Sequence, residues 1–334
     1  MKTRSSLLAA LSIVAASCSG GGGDAASPPS QPAPTPALVL VAGAPPNGTD
    51  SSLTQGYVDG PALAARFRGV QDLAVDAAGT IYVVDSGNRK VRKISPAGDV
   101  STLASFGDSP STSLDGIALD PAGNVFVTRD EYCPPLTNCV PQGHIDRIDP
   151  AGNVTPVNIA SSSDGTGIEF GEVNAIARAP NGDLYFSEHT FLHLKIPSRI
   201  RKLTPSGDAT RAPIGDGASA MTFDASGNLY LTGVSVYEMR AGGDMVFLSA
   251  PFALPLGVAA DDMGNVYVSD VRDHIIRKII APGNAPVIAG VQGVAGYLVP
   301  TLPGLLNGPG RMAIHGRDLY FAMGSAVMVI RNVP

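Results

Sequence analysis

The chain of 334 residues carries 23 Lys or Arg against 29 Asp or Glu, a formal net charge of −6, with three cysteines and no tryptophan. This acidic balance argues against a nucleic-acid partner, because binding phosphates requires a basic face. No stretch reaches the roughly 20 apolar residues of a membrane-spanning helix, so contact with a membrane is expected only through an anchor.

At the N-terminus, Lys2 and Arg4 precede an apolar run from Leu7 to Ala16 that ends in small residues before Cys18. Residues 1–17 therefore read as an export signal. The segment Ala15-Ala16-Ser17-Cys18 resembles the lipobox of bacterial lipoproteins, with Ala15 where leucine is usual. The resemblance implies that Cys18 is acylated and becomes the mature N-terminus, and Ser19 after it implies the outer membrane; ordinary signal cleavage nearby is the alternative. Without Lys2 and Arg4 the chain keeps 21 basic and 29 acidic residues, a net charge near −8.

Residues 18–36, SGGGGDAASPPSQPAPTP after the cysteine, hold too little apolar surface to form a core and are expected to be a disordered tether. From residue 37 to 334 the composition changes to short β-branched and aromatic runs punctuated by Gly, Asp, Asn and Pro, without helical periodicity. That pattern reads as all-β.

The decisive feature is internal repetition, which at this period indicates propeller blades. Asp72 opens DLAVDAAGTIYVVDSGNRKVRKISPAGDVSTLA, and Gly257 opens GVAADDMGNVYVSDVRDHIIRKIIAPGNAPVIAG, two copies of one four-stranded unit. Weaker copies begin near Gly116, Ala175, Ala220 and Met312, giving six. Their turn glycines Gly79, Gly123, Gly182, Gly227, Gly264 and Gly316 recur at intervals of 37 to 59 residues, with insertions at 132–143, 190–198 and 291–309. The last unit has only three strands before Pro334, whereas ALVLVAG from Ala37 matches a fourth strand, so the N-terminal strand is expected to complete the last blade.

The runs DGPALAARFRGVQDLAVD from Asp59 and DSGNRKVRKISPAG from Asp85 resemble the NHL repeat family. The resemblance covers nearly all of Leu38 to Pro334 and implies an all-β, six-bladed β-propeller of NHL-type repeats with its functional face at one mouth of the central channel. Some NHL-like lyases hold zinc on central histidines and calcium on backbone oxygens, and lactonase-type propellers place acids around calcium. Here Gly233 and Met323 interrupt any ring of acids, and only His189 and His274 stand roughly in phase.

Several residue sets carry two readings. Asp76, Asp120, Asp224 and Asp261, each three residues before a turn glycine, read as caps of tight turns rather than ligands. The pairs Arg92–Lys93, Arg201–Lys202 and Arg277–Lys278 recur on the third strand and read as a solvated or inter-blade salt-bridge position toward the rim, with a basic patch as the alternative. Cys133 and Cys139, spaced CPPLTNC, are expected to form a local disulfide in an oxidising compartment. A zinc site there would lack ligands.

The loops entering the first strands and joining the second to the third are expected to present Gln71, Asp72, Asp115, Asn174 and Arg311, and Asp85, Arg129, Glu188, His189 and Asp270. Glu172, Asp273 and His274 belong to the same loops. With no nucleophile elbow, phosphate-cradling loop or free catalytic cysteine, these residues are expected to bind a protein, peptide or glycan, without a cofactor, in a monomeric protein. The alternative is a metal-dependent lyase or lactonase-like hydrolase holding calcium or zinc on Glu188, His189 and Asp270.

Overall fold

Alternating small, β-branched and aromatic residues between Asp-x-x-Gly turns produce short antiparallel strands, and six such sheets close into a propeller. The structure, a computed structural model, describes residues 35–44, 55–131, 142–165, 167, 171–189, 199–214, 217–248 and 252–333. Strand β1 (Ala37–Gly43) opens the described chain, and the first blade holds β2 (Gly60–Pro61), β3 (Val70–Val75), β4 (Ile81–Asp85), β5 (Lys90–Ile94) and β6 (Asp99–Ser105). The second blade holds β7 (Thr112–Leu119), β8 (Val125–Glu131), β9 (Gln142–Ile148) and β10 (Val154–Pro156). The third holds β11 (Glu172–Arg178), β12 (Leu184–His189), β13 (Arg199–Leu203) and β14 (Ala209–Arg211).

The fourth blade is β15 (Ala220–Phe223), β16 (Leu229–Thr232), β17 (Val236–Met239) and β18 (Met245–Phe247), and the fifth is β19 (Pro255–Ala260), β20 (Val266–Asp270), β21 (Ile275–Ile279) and β22 (Val287–Ala289). The sixth contains β23 (Met312–His315), β24 (Asp318–Met323) and β25 (Ala326–Arg331) with β1 as its outer strand. The innermost strands β3, β7, β11, β15, β19 and β23 neighbour one another in turn, and β23 returns to β3, so the ring is closed.

Closure follows the sequence expectation: β1 pairs antiparallel with β25, Ala37 opposite Arg331 and Val39 opposite Val329. The insertion at 291–309 supports it, since Leu38 N–H donates to Pro300 O at 3.0 Å and Leu306 packs with Leu38 in one apolar cluster. Joining the two ends of the chain in one sheet removes an exposed edge. The first blade departs from the expectation, because β2 adds a fifth strand on β6.

The turn reading holds in detail. Asp76, Asp120, Asp224 and Asp261 each accept from the backbone N–H four residues on, at 2.8 Å. Their turn glycines take φ near +80°, where a side chain would strain the backbone. Two other glycines permit close approach of neighbouring blades: a Cβ on Gly116 would lie 2.5 Å from Asn174 O, and one on Gly257 would lie 2.4 Å from Gly310 O. Hydroxyls lock these junctions. Thr128 Oγ1 accepts from Gly116 N–H and donates to Asn174 O, and Ser269 Oγ accepts from Gly257 N–H and donates to Gly310 O.

Among the described residues no helix is long and apolar enough to cross a membrane. The signal, the tether with Cys18 up to Pro34, and both Cys133 and Cys139 lie outside the described residues.

Candidate binding site at the channel mouth

Arg311, one residue before β23, organises the mouth. Its side chain is 5% exposed, and Nη1 donates to Asp115 O at 3.0 Å and Asn174 O at 3.1 Å, with Asp72 Oδ2 at 3.4 Å. One guanidinium thus joins the sixth blade to the first three. Asp72 Oδ2 also accepts from Ile117 N–H at 3.1 Å, and Oδ1 accepts from Leu73 N–H at 2.8 Å. Gln71, exposed above them, donates from Nε2 to Asp115 Oδ1 at 3.2 Å. Beyond Arg311 the channel continues as a cavity of about 450 Å³ lined by the first strands of all six blades.

Acids outnumber bases here. Burial raises Asp72 to about 6 against the opposing pull of Arg311. Burial also raises Asp115, with Arg311 opposing and Glu172 adding to the rise. Asp130 goes to about 8, chiefly by burial, with Asp115 and Glu172 adding to it; its Oδ1 accepts from Val173 N–H at 2.8 Å. Asp130 was not among the sequence candidates. It lies one residue beyond Arg129, the position of His189 in the third blade, and that equivalence is the signal that could have found it.

The other candidates are held inside their own blades. Asp85 is fully buried; it accepts from Arg68 N–H at 2.7 Å and pairs with Arg92 at 2.9 Å. Glu188 accepts from Gly171 N–H at 2.9 Å and pairs with Arg199 at 2.7 Å. Asp270 accepts from Ala253, Leu254, Arg272 and Asp273 N–H groups. Each of these acids stands at the end of a second strand or one residue before it, and caps the loop that enters its blade. In the sixth blade Met323 Sδ takes the same place, accepting from Asn307 N–H at 3.3 Å.

The second blade reverses the signs: Arg129 pairs with Asp146 at 2.6 Å and also with Glu131. The rim reading of the third-strand arginines is therefore corrected. Arg92 and Arg201 are fully buried and Arg277 is 8% exposed. Strand alternation turns the arginine inward and leaves Lys93, Lys202 and Lys278 partly exposed.

The donors named for a metal are already engaged. The oxygens of Asp85, Glu188 and Asp270 are engaged by N–H and guanidinium groups, and His274 Nδ1 accepts from Gly308 N–H at 3.0 Å. His189 lies beside Ser187, with Nε2 3.4 Å from its Oγ. No group of three His, Cys, Asp or Glu among the described residues is arranged to hold a metal ion. Among the described residues, Asp85, Glu188 and Asp270 as placed do not fit calcium or zinc.

Comparison with known proteins agrees with the architecture. Residues 252–279 match the NHL repeat model. No curated protein matches the chain. Among solved structures, an auxiliary nutrient binding protein from Bacteroides thetaiotaomicron is 16% identical, with 88% of this chain and 76% of that one covered and a TM-score of 0.67. A gluconolactonase from Xanthomonas campestris is 17% identical, with 91% and 99% covered and a TM-score of 0.59. A catalytically inactive virginiamycin B lyase from Staphylococcus aureus is 16% identical, with 80% and 82% covered and a TM-score of 0.53. At these identities the likeness is one of fold, which hosts binding and catalysis alike.

Proposed function

We propose that this six-bladed β-propeller with its NHL repeat is a binding module of the bacterial envelope that engages a protein, peptide or glycan partner through the mouth around Arg311. A peptide segment with basic residues is the partner whose charge fits best. The observation that carries this reading is the pairing of Asp115 with Glu172, which act on each other electrostatically, beside the Asp72–Arg311 ion pair. A focused negative field of that kind steers cationic groups toward the face. The carboxylates that a lyase or lactonase would need for a divalent ion are spent within their blades, which disfavours the enzymatic alternative.

In this reading Cys18 carries the lipid, residues 18–36 give reach from the outer membrane, and the propeller works as a monomer. Selection of random linear peptides on the purified chain tests the binding mode. Enrichment of Lys- and Arg-containing peptides, with affinity falling about tenfold in Asp115→Asn and Glu172→Gln, is the expected result. Peptides indifferent to both substitutions, or no enrichment at all, would overturn it. A stoichiometric calcium or zinc whose chelation lowers Tm would turn the reading toward the enzyme.

A further inference from the structure

Repetition exposes a gap in one blade. Between the end of the second strand and the third strand, the first three blades place buried ion pairs built on Asp85 and Arg92, Arg129 and Asp146, and Glu188 and Arg201. The sixth places Met323 and Met328, both fully buried. In the fourth blade the same two positions hold Gly233 and Tyr237. Gly233 needs no positive φ, and a Cβ there would come no closer than 3.3 Å, to Gly217 O. The missing side chain leaves space rather than relieving strain.

That space is a cavity of about 790 Å³ over the fourth blade, within the range of ligand pockets. Ile214, Leu231, Tyr237, Leu254 and Pro255 give it apolar walls, and His189 borders it from the third blade. At its rim Val234 is fully exposed and Leu254 is 48% exposed, an apolar surface on the same loop face as the channel mouth. An acid stands one strand away from His189. Glu172 stands opposite His189 in the β11–β12 register, and Glu172 acts electrostatically on both Asp115 and Asp130.

We infer that the hollow over the fourth blade takes a large apolar side chain of a peptide whose neighbouring Lys, Arg or terminal ammonium faces Glu172. The inference rests on the peptide-binding reading and names where specificity lies: the acidic mouth selects charge, and the gap at Gly233 selects an apolar neighbour.

The probe is dansylcadaverine, an apolar ring system with an ammonium, compared with dansylglycine, the same ring system with a carboxylate. With the full chain, saturable one-to-one binding of the amine is expected, about tenfold tighter than the acid. Gly233→Phe fills the hollow and weakens the amine at least about tenfold, while Leu254→Ser, at an exposed site that leaves folding intact, weakens it about threefold. Glu172→Gln brings the two dyes close to equal affinity.

If neither dye saturates, or if Gly233→Phe and Leu254→Ser both leave binding unchanged, the pocket assignment is overturned. Selected basic peptides that respond to Asp115→Asn but not to Gly233→Phe would overturn the pocket and keep the binding reading. A dye pocket without any selectable peptide would instead overturn the peptide reading.

Discussion

Arg92 donates from Nη1 to Asp85 Oδ2 at 2.9 Å, with both side chains wholly removed from solvent. The guanidinium has a second carboxylate partner, since Nε donates to Asp59 Oδ1 at 3.0 Å, so removing Asp85 takes away one of its two counter-charges. Asp85→Ala is expected to lower unfolding stability by about 1–3 kcal/mol, the cost of leaving Arg68 N–H without its acceptor and Arg92 with Asp59 alone. The sixth blade already shows the apolar solution at these positions with Met323 and Met328. The double variant Asp85→Met with Arg92→Met is expected to recover part of the loss, because Asp59, Val58 O and Arg66 O lose the guanidinium while Arg68 N–H faces sulfur as Asn307 N–H does. Denaturant unfolding of the single and double variants provides the check; a double variant no better than Asp85→Ala would contradict it.

The mouth acids give a pH dependence whose sign follows from their raised values. Asp130 is held near 8 and Asp72 near 6, both above the unfolded carboxyl value of 3.8. The folded chain then binds more protons than the unfolded chain between those limits, so stability falls as pH rises through that window. Asp130→Asn keeps an acceptor for Val173 N–H and removes the titration. Its Tm is expected to match or exceed that of the parent at pH 8.5 and to flatten the decline between pH 6 and 8. A steeper decline in the variant would refute the assignment.

What the sequence made legible follows from local chemistry. Six blades and the closing strand could be read because the turn glycines, four of them in Asp-x-x-Gly, and the ALVLVAG segment of β1 carry their signal in a few adjacent residues. The orientation of Arg92 could not be read so. An Arg–Lys pair on a strand places one side chain inward and the other outward, and only the register opposite Val83 shows that the arginine is the buried one. Asp85, Glu188 and Asp270 were legible as a recurring position, but their backbone N–H partners come from loops some 17 residues earlier. Arg311 was found as a mouth residue, yet its reach to Asp115 and Asn174 spans 196 and 137 residues. No local pattern encodes that.

The blade junctions predict an asymmetry between two small substitutions. Ser269→Ala leaves Gly257 N–H and Gly310 O without their shared hydroxyl, a loss of about 1–3 kcal/mol at a buried site. Gly257→Ala is expected to cost more, because its Cβ would meet Gly310 O at 2.4 Å and Arg311 Cα at 2.8 Å, both backbone atoms. Thermal unfolding ranks the two, and an innocuous Gly257→Ala would mean that the fifth and sixth blades separate more readily than this packing allows.

The anchor proposal turns on one thiol. If Cys18 is acylated, growth with an alkynyl fatty acid labels the protein, and Cys18→Ser abolishes the label and moves the chain from the membrane fraction to the soluble one. A single acyl chain holds a protein only marginally, so firm retention requires the multiple chains that a lipoprotein cysteine receives. The negative charge of the mature chain cannot substitute for them, because it is repelled by anionic lipid headgroups. Continued membrane retention in Cys18→Ser would therefore point to a protein partner as the tether and remove the lipid from the account.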